Sequence, residues 1–249
     1  MSTPHHDATL HQADHGLTLP QQLILVAYDP EAGKPRHVGM LDQRVAGAAI
    51  VELALREAVT LEGTSRRPER RRIVAVPGAR TGDARLDDVL GGIEAKPRDA
   101  HRTIGGLARR ARRDTLEDLA AAGVMRREPH RVLGIFPSDR WIATDAGRGA
   151  ALRARLAAVL LEQTAPTERE AALIALTADT PLPRALVAKE DRRRAAARAK
   201  AITAEQKDAA QADHAAQAAV DATVESVKAA VMAAVIGGVV ASTAATSSG

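Results

Sequence analysis

Three aromatic side chains in 249 residues, one each of Phe, Tyr and Trp, limit what this chain can fold into. Hydrophobic residues still make up 45% of it, so a chain of this length has enough apolar surface for a real core. That core must be assembled from Leu, Ile, Val and Ala. Such small and branched side chains suit helices that approach closely, and a mainly α fold is expected. There are no cysteines, which excludes disulfides and thiolate metal sites.

Hydrophobic periodicity places the elements. Residues 1–16 are polar and His-rich, without the apolar stretch of a secretory signal, and are expected to be a disordered tail. Residues 17–28 form a Leu-rich run in which Pro20 suits a first helical turn. A turn follows over 29–34. Residues 45–57 are apolar nearly all round, as in a helix at the centre of a domain. Segments 58–61 and 73–76 read as the arms of a hairpin. Its tip is a solvated basic loop with Arg66, Arg67, Arg70, Arg71 and Arg72. Leu86, Val89, Leu90 and Ile93 share one helix face, with Thr81 or Asp83 as its cap.

A long helix through Arg109 is predicted to stop near Gly123, and segments 124–128 and 132–136 to form a second hairpin. Residues 152–161 and 168–177 are helical in pattern. Domain organisation is read as a single globular helical domain over 17–186, decorated by two or more β-hairpins and either ending there or completed by an apolar core helix at about 224–241. After it, 187–249 reads as an Ala-rich charged helix with little to bury, an apolar helix at about 224–241, and a Ser/Thr tail. The apolar run is too short for a bilayer, which needs ~20 residues.

Of the 35 basic residues, 29 are arginine, and the formal charge is +4 with a pI near 9.8. These values allow an anionic partner without requiring one. The densest cluster is Arg109, Arg110, Arg112 and Arg113. At ~100° per residue, Arg109 and Arg112 fall on the side of the helix that carries Leu116 and Leu119. A guanidinium on a packing face needs a partner, either an internal carboxylate or a bound anion. Arg110 and Arg113 fall on the solvated side. Downstream, Phe136 and Trp141 flank a Pro-Ser-Asp turn, a place where amphipathic rings could meet a bilayer edge.

No catalytic constellation is evident. His5, His6, His11 and His15 sit in the polar tail, where no fold fixes metal geometry, and His101 and His130 are isolated. No nucleophile–base pair and no phosphate-cradling glycine loop is present, so neither catalysis nor a cofactor is expected.

Four blocks, in order and in register, resemble the Golgi phosphoprotein 3 family, the phosphatidylinositol-4-phosphate-binding Golgi adaptors and their bacterial relatives. They are LTLPQQLILVAYD from Leu17, AGAAIVELALREAVTLEG from Ala46, TGDARLDDVL from Thr81, and LARRARRDTLEDLAAAGVMRRE followed by RVLGIFPSDRW. The resemblance implies a cytoplasmic protein, peripherally associated with membrane, that binds anionic lipid headgroups of the phosphoinositide or phosphatidylinositol class. Aligned on Gly123-Val124, the family's two headgroup arginines fall on Arg109 and Arg112. A family tryptophan falls on His37. A third arginine falls on Ala46, with Arg44 close by but out of register. The implied site is therefore Arg109, Arg112, His37 and Arg44, in a pocket altered from that of the Golgi members. The family's second hairpin corresponds to residues 133–141. It implies membrane contact through Ile135, Phe136 and Trp141, and possible self-association. The competing reading is a winged-helix-like DNA-binding regulator, with the arginine helix as recognition helix and the hairpin as wing. Against it, the helix offers few base-reading side chains besides Thr115.

Overall fold

A computed structural model describes residues 16–65, 67–132, 136–216 and 227–234. It is mainly α with β-hairpins, as expected. The helices are α1 (Leu19–Ala27), α2 (Leu41–Leu55), α3 (Ala84–Ala95), α4 (Ala100–Ala121), α5 (Ala146–Leu160), α6 (Glu168–Thr177), the short α7 (Leu182–Ala185) and α8 (Arg192–Ala216). The strands are β1 (Val59–Glu62), β2 (Arg72–Ala75), β3 (Arg98–Asp99), β4 (Met125–Glu128), β5 (Arg131–Val132), β6 (Phe136–Pro137) and β7 (Arg140–Ala143).

Helix α2 is the centre. Ala46, Gly47, Ala48 and Ala49 let neighbours approach its backbone, and nearly every residue from Arg44 to Ala54 is buried. It packs most extensively on α4 and also meets α1, α3, α6 and β1. Ile50 and Leu53 on α2, Leu23 and Ile24 on α1, and Leu119 on α4 are fully enclosed. Each such side chain stabilises the fold by about 1.5–3 kcal/mol.

One charge lies in that core. Glu52 of α2 is fully buried and accepts four hydrogen bonds. Leu19 N–H at the start of α1 donates to Oε2 at 2.8 Å. Arg56 Nε donates to Oε1 at 2.8 Å, and Arg169 of α6 reaches both oxygens at 3.2 and 2.6 Å. Arg169 also donates to the Leu17 carbonyl at 3.1 Å. A buried carboxylate is tolerable only with this degree of satisfaction, and here it joins three helices.

The first hairpin is as expected, with Val59 opposite Ala75 and Glu62 opposite Arg72, and β3 adds a third strand beside β2. The second is paired differently from the sequence expectation. Strand β4 pairs with β7, Met125 opposite Ala143, while β5 and β6 form a smaller ribbon between them. Local patterning showed two short β-rich segments, 124–128 and 132–136, and paired them because they are adjacent in sequence.

Helix α8 departs from expectation, whereas the apolar core helix agrees with it over the described residues. Helix α8 buries Ala195, Ala199, Ile202 and Thr203 against α5, α6 and α7. Residues 227–234 are helical, with Val227, Ala230, Val231 and Met232 buried. Alanine repeated every three or four residues carries little hydrophobicity per position, yet it permits close helix contact, so the core extends past residue 186. The polar tail at 1–15 lies outside the described residues.

Glu52→Ala leaves Arg169 and the Leu19 amide without their shared partner. Removing one member of a buried pair typically costs about 3–5 kcal/mol. Urea denaturation should show a loss of about that size, with an unchanged slope. A loss below about 1 kcal/mol would show that the hub is dispensable.

Candidate functional site

Helix α4 starts at Asp99, whose side chain accepts the Arg102 amide at 2.9 Å, and ends ahead of Gly123, which holds a φ of +69°. Its buried stripe is Ala100, Ile104, Ala108, Thr115, Leu116 and Leu119, with Asp114 at its edge. The stripe is centred about 110° from Arg109 at ~100° per residue. Leu116 marks its border, and Ala108 and Thr115 mark its middle. Arg109 is therefore exposed, against the packing-face expectation, and makes no hydrogen bond or ion pair among the described residues. Arg112 lies on the flank of the stripe. Its Nε meets Asp42 Oδ1 of α2 at 2.9 Å, with both side chains roughly two-fifths exposed.

Tyr28, the residue that closes α1, sits against this pair. Burial pushes its phenol above the ordinary value, Arg112 pulls it back and Asp42 pushes it up again. Tyr28 also borders a shallow cleft shared with Arg36, exposed His37 and Arg153, floored by Val26, Leu182 and Leu186. His37 holds a left-handed backbone, φ +62°. Arg153 is half-buried and donates to the Leu25 and Tyr28 carbonyls at 2.6 and 2.5 Å, and its burial lowers its pKa. Neither Asp42 nor Arg153 was legible as a site neighbour, because both contacts are made across the fold.

Arg44 points inward. It is 2% exposed, with Nε on the Gly39 carbonyl at 2.7 Å, Nη1 on the Leu176 carbonyl, and a bidentate pair to Asp179 at 2.9 and 3.0 Å. Those donors are engaged inside the protein, so the headgroup role expected of Arg44 does not fit its placement. Ala46 is buried and borders a different cavity, between α3 and α4.

In the basic loop, Arg66 lies outside the described residues. Arg67, Arg70 and Arg72 are exposed, and Arg72 makes a loose 3.4 Å pair with Glu62. Arg71 is a correction to the solvated tip: it is buried, with Nε on the Ser65 carbonyl at 2.8 Å.

The second hairpin is held by the turn at 29–34. Trp141 N–H donates to the Gly33 carbonyl at 2.9 Å, and Lys34 Nζ reaches Ser138 Oγ at 2.6 Å and the Asp139 carbonyl at 2.7 Å. Arg140 Nε donates to the Ala32 carbonyl at 2.9 Å. Trp141 is half-buried and packs against the core beside Leu25, Tyr28 and Met125, which differs from the bilayer-facing position expected of it. It stands on the outer β4–β7 ribbon, away from the β5–β6 end. Phe136 begins β6 with its backbone opposite Val132, and Ile135 lies outside the described residues.

The family model for Golgi phosphoprotein 3 (GPP34) matches residues 19–241. The chain belongs to that family. The match runs through α8 and the 227–234 helix, in agreement with the reach of the core. No match is found among curated proteins. Among the described residues, no helix of this family member is long and apolar enough to cross a membrane.

The turn that holds the hairpin should respond to acid. Asp29 Oδ1 accepts the Ala32 amide at 2.7 Å and Oδ2 accepts Arg36 Nη1 at 2.5 Å, lowering the Asp29 pKa to about 2. Its contribution to stability is complete above the ordinary carboxylate value of about 3.9 and is lost as the pH falls through about 2. Trp141 emission should shift to the red over that window, and the acid response should be blunted in Asp29→Asn. Gly33→Ala should give the red shift at neutral pH. Gly33 has a φ of +63°, and its new Cβ would lie 2.7 Å from Ile142 Cδ1 and 2.9 Å from Trp141 N. Unchanged emission in the Gly33 variant would mean that the turn does not hold the ribbon.

Proposed function

We propose that this member of the Golgi phosphoprotein 3 family is a peripheral membrane protein that binds anionic lipid headgroups, without catalysis, through Arg109 and Arg112 on α4. The observation that carries the reading is Arg109: an exposed guanidinium with no partner among the described residues, one helical turn from Arg112. Arg112 has only a half-exposed carboxylate to release. An exposed pair of that kind contributes about 0–1 kcal/mol, so a phosphate can displace Asp42 at small cost. Guanidinium forks match phosphate oxygens, and two of them one turn apart can grip one headgroup.

His37 borders the neighbouring cleft that shares Tyr28 and supplies a third polar group on this side. Arg44 is left out of the site because its donors are engaged inside the protein. Membrane contact is assigned to the β5–β6 end of the second hairpin, with Ile135 and Phe136, and Trp141 is assigned to packing. Self-association through the same hairpin belongs to this reading. Exposed Arg67, Arg70 and Arg72 add diffuse attraction to an anionic surface.

Cosedimentation tests the pocket, using phosphatidylcholine vesicles doped with phosphatidylinositol 4-phosphate, phosphatidylinositol or phosphatidylserine. Arg109→Ala with Arg112→Ala should weaken binding at least about tenfold, since each charge-assisted contact contributes about 1.5–3 kcal/mol. The melting temperature should change little, because both side chains are solvent-accessible. Binding at the wild-type level would reject the site. Binding to duplex DNA in place of vesicles would replace the lipid reading with the winged-helix one.

The basic loop should behave differently. Serine at Arg67, Arg70 and Arg72 should weaken vesicle binding by up to about 1 kcal/mol per residue at low ionic strength. At 0.15 M salt, where screening acts within ~8 Å, most of that effect should vanish. A loss that is independent of salt would place a structured site in the loop.

A further inference from the structure

A second site lies on the opposite flank of α4. Helix α3 packs mainly on β2 and α2, and a cleft lies between it and α4. Two cavities, of about 50 and about 210 Å³, adjoin there, with Val89 and Leu107 lining both. On the same measure a single water needs about 10–15 Å³, so the space admits a ligand of many atoms.

The two ends differ in charge. At the inner end, Val45, Ala46, Ala49, Leu86 and Ala111 line an apolar slot. Of its carboxylates, Asp114 and Asp118 are paired with arginine and Asp83 caps α3, while exposed Asp88 makes no hydrogen bond or ion pair among the described residues. Arg85 makes a bidentate pair with Asp118 at 3.0 Å on both arms and lies 3.6 Å from Asp114, which Arg113 also meets at 3.0 Å. At the outer end, Lys96, Arg98 and Arg102 line the mouth. Among the described residues, the side chains of Lys96 and Arg98 make no hydrogen bond or ion pair. Arg102 has only a 3.4 Å contact with Asp99 and is 77% exposed.

Glycine borders the mouth. Gly92 of α3 and Gly106 of α4 line it, and neither has an atom within 4 Å of where a Cβ would stand. Glycine inside a helix is destabilising relative to alanine, and packing within the chain does not require it at either position.

We propose that this cleft binds a single-chain anionic amphiphile. Its phosphate or carboxylate head lies at Lys96, Arg98 and Arg102, and its alkyl chain runs between α3 and α4 toward Arg85. An apolar pocket with a few convergent charges at one end is the arrangement that orients such a molecule. The site goes beyond the headgroup contact at Arg109 and Arg112, neither of which lines either cavity.

Calorimetric titration of the full chain with decyl phosphate, below its micelle concentration, should give saturable one-to-one binding. Lys96→Ala with Arg98→Ala and Arg102→Ala should weaken it at least about tenfold, and so should Gly106→Leu, which fills the mouth. Arg109→Ala with Arg112→Ala should leave it unchanged, so that failure here and failure of the headgroup site are told apart. Circular dichroism checks folding, and the triple variant, confined to accessible side chains, carries the test if Gly106→Leu does not fold. Absence of saturable binding overturns the proposal. So does inorganic phosphate or decanol binding as tightly as decyl phosphate, or wild-type affinity in both cleft variants. Diacyl phosphatidate extracted from phosphatidylcholine vesicles as readily as decyl phosphate binds would overturn the single-chain assignment.

Discussion

A buried carboxylate organises this protein. Glu52 sits on a helix that is enclosed on nearly every side, where an unpaired charge would not be tolerated. The structure brings it the first amide of α1, the guanidinium of Arg56 and that of Arg169 on α6. These contacts fix where α1 begins and how α6 crosses α2. With α1 placed, Tyr28 falls at its end beside Arg112 and Asp42, and the turn at 29–34 falls against β7. Both candidate regions on that side inherit their positions from the core.

The arginines fall into classes by their surroundings. Arg44, Arg71 and Arg169 are structural, with donors spent on carbonyls and carboxylates inside the protein. Arg85 bridges two helices across a cleft that their backbones do not close. Arg109, Arg98 and Lys96 are uncommitted among the described residues, and those are the groups a phosphate can use without breaking anything. In a chain with 29 arginines, composition alone does not distinguish these classes.

Family and fold class were legible because they are encoded locally. An apolar-all-round helix, the cap at Asp83 and the glycine after α4 each leave a pattern within a few residues. What failed were statements about neighbours. Strand β4 pairs with β7 across an inner ribbon, and nothing in four-residue β segments specifies that choice. Arg109 was placed on the packing face because Leu116, which lies beside it on the wheel, was read as the middle of the stripe, although Leu116 is its border and Ala108 and Thr115 mark the true centre. The same undervaluing of alanine left α8 outside the core.

By itself the sequence determined that this chain makes close-packed helices from aliphatic side chains, where most of them start and stop, and that its charge is carried by arginine. Those outcomes depend on periodicity, capping and side-chain volume, which act over one or two helical turns. Only the tertiary structure decided which guanidiniums meet a carboxylate or a carbonyl and which remain available, because a charge becomes structural or functional according to groups far away in the chain. Arg44 finds Asp179, 135 residues on, and Arg109 finds no partner among the described residues.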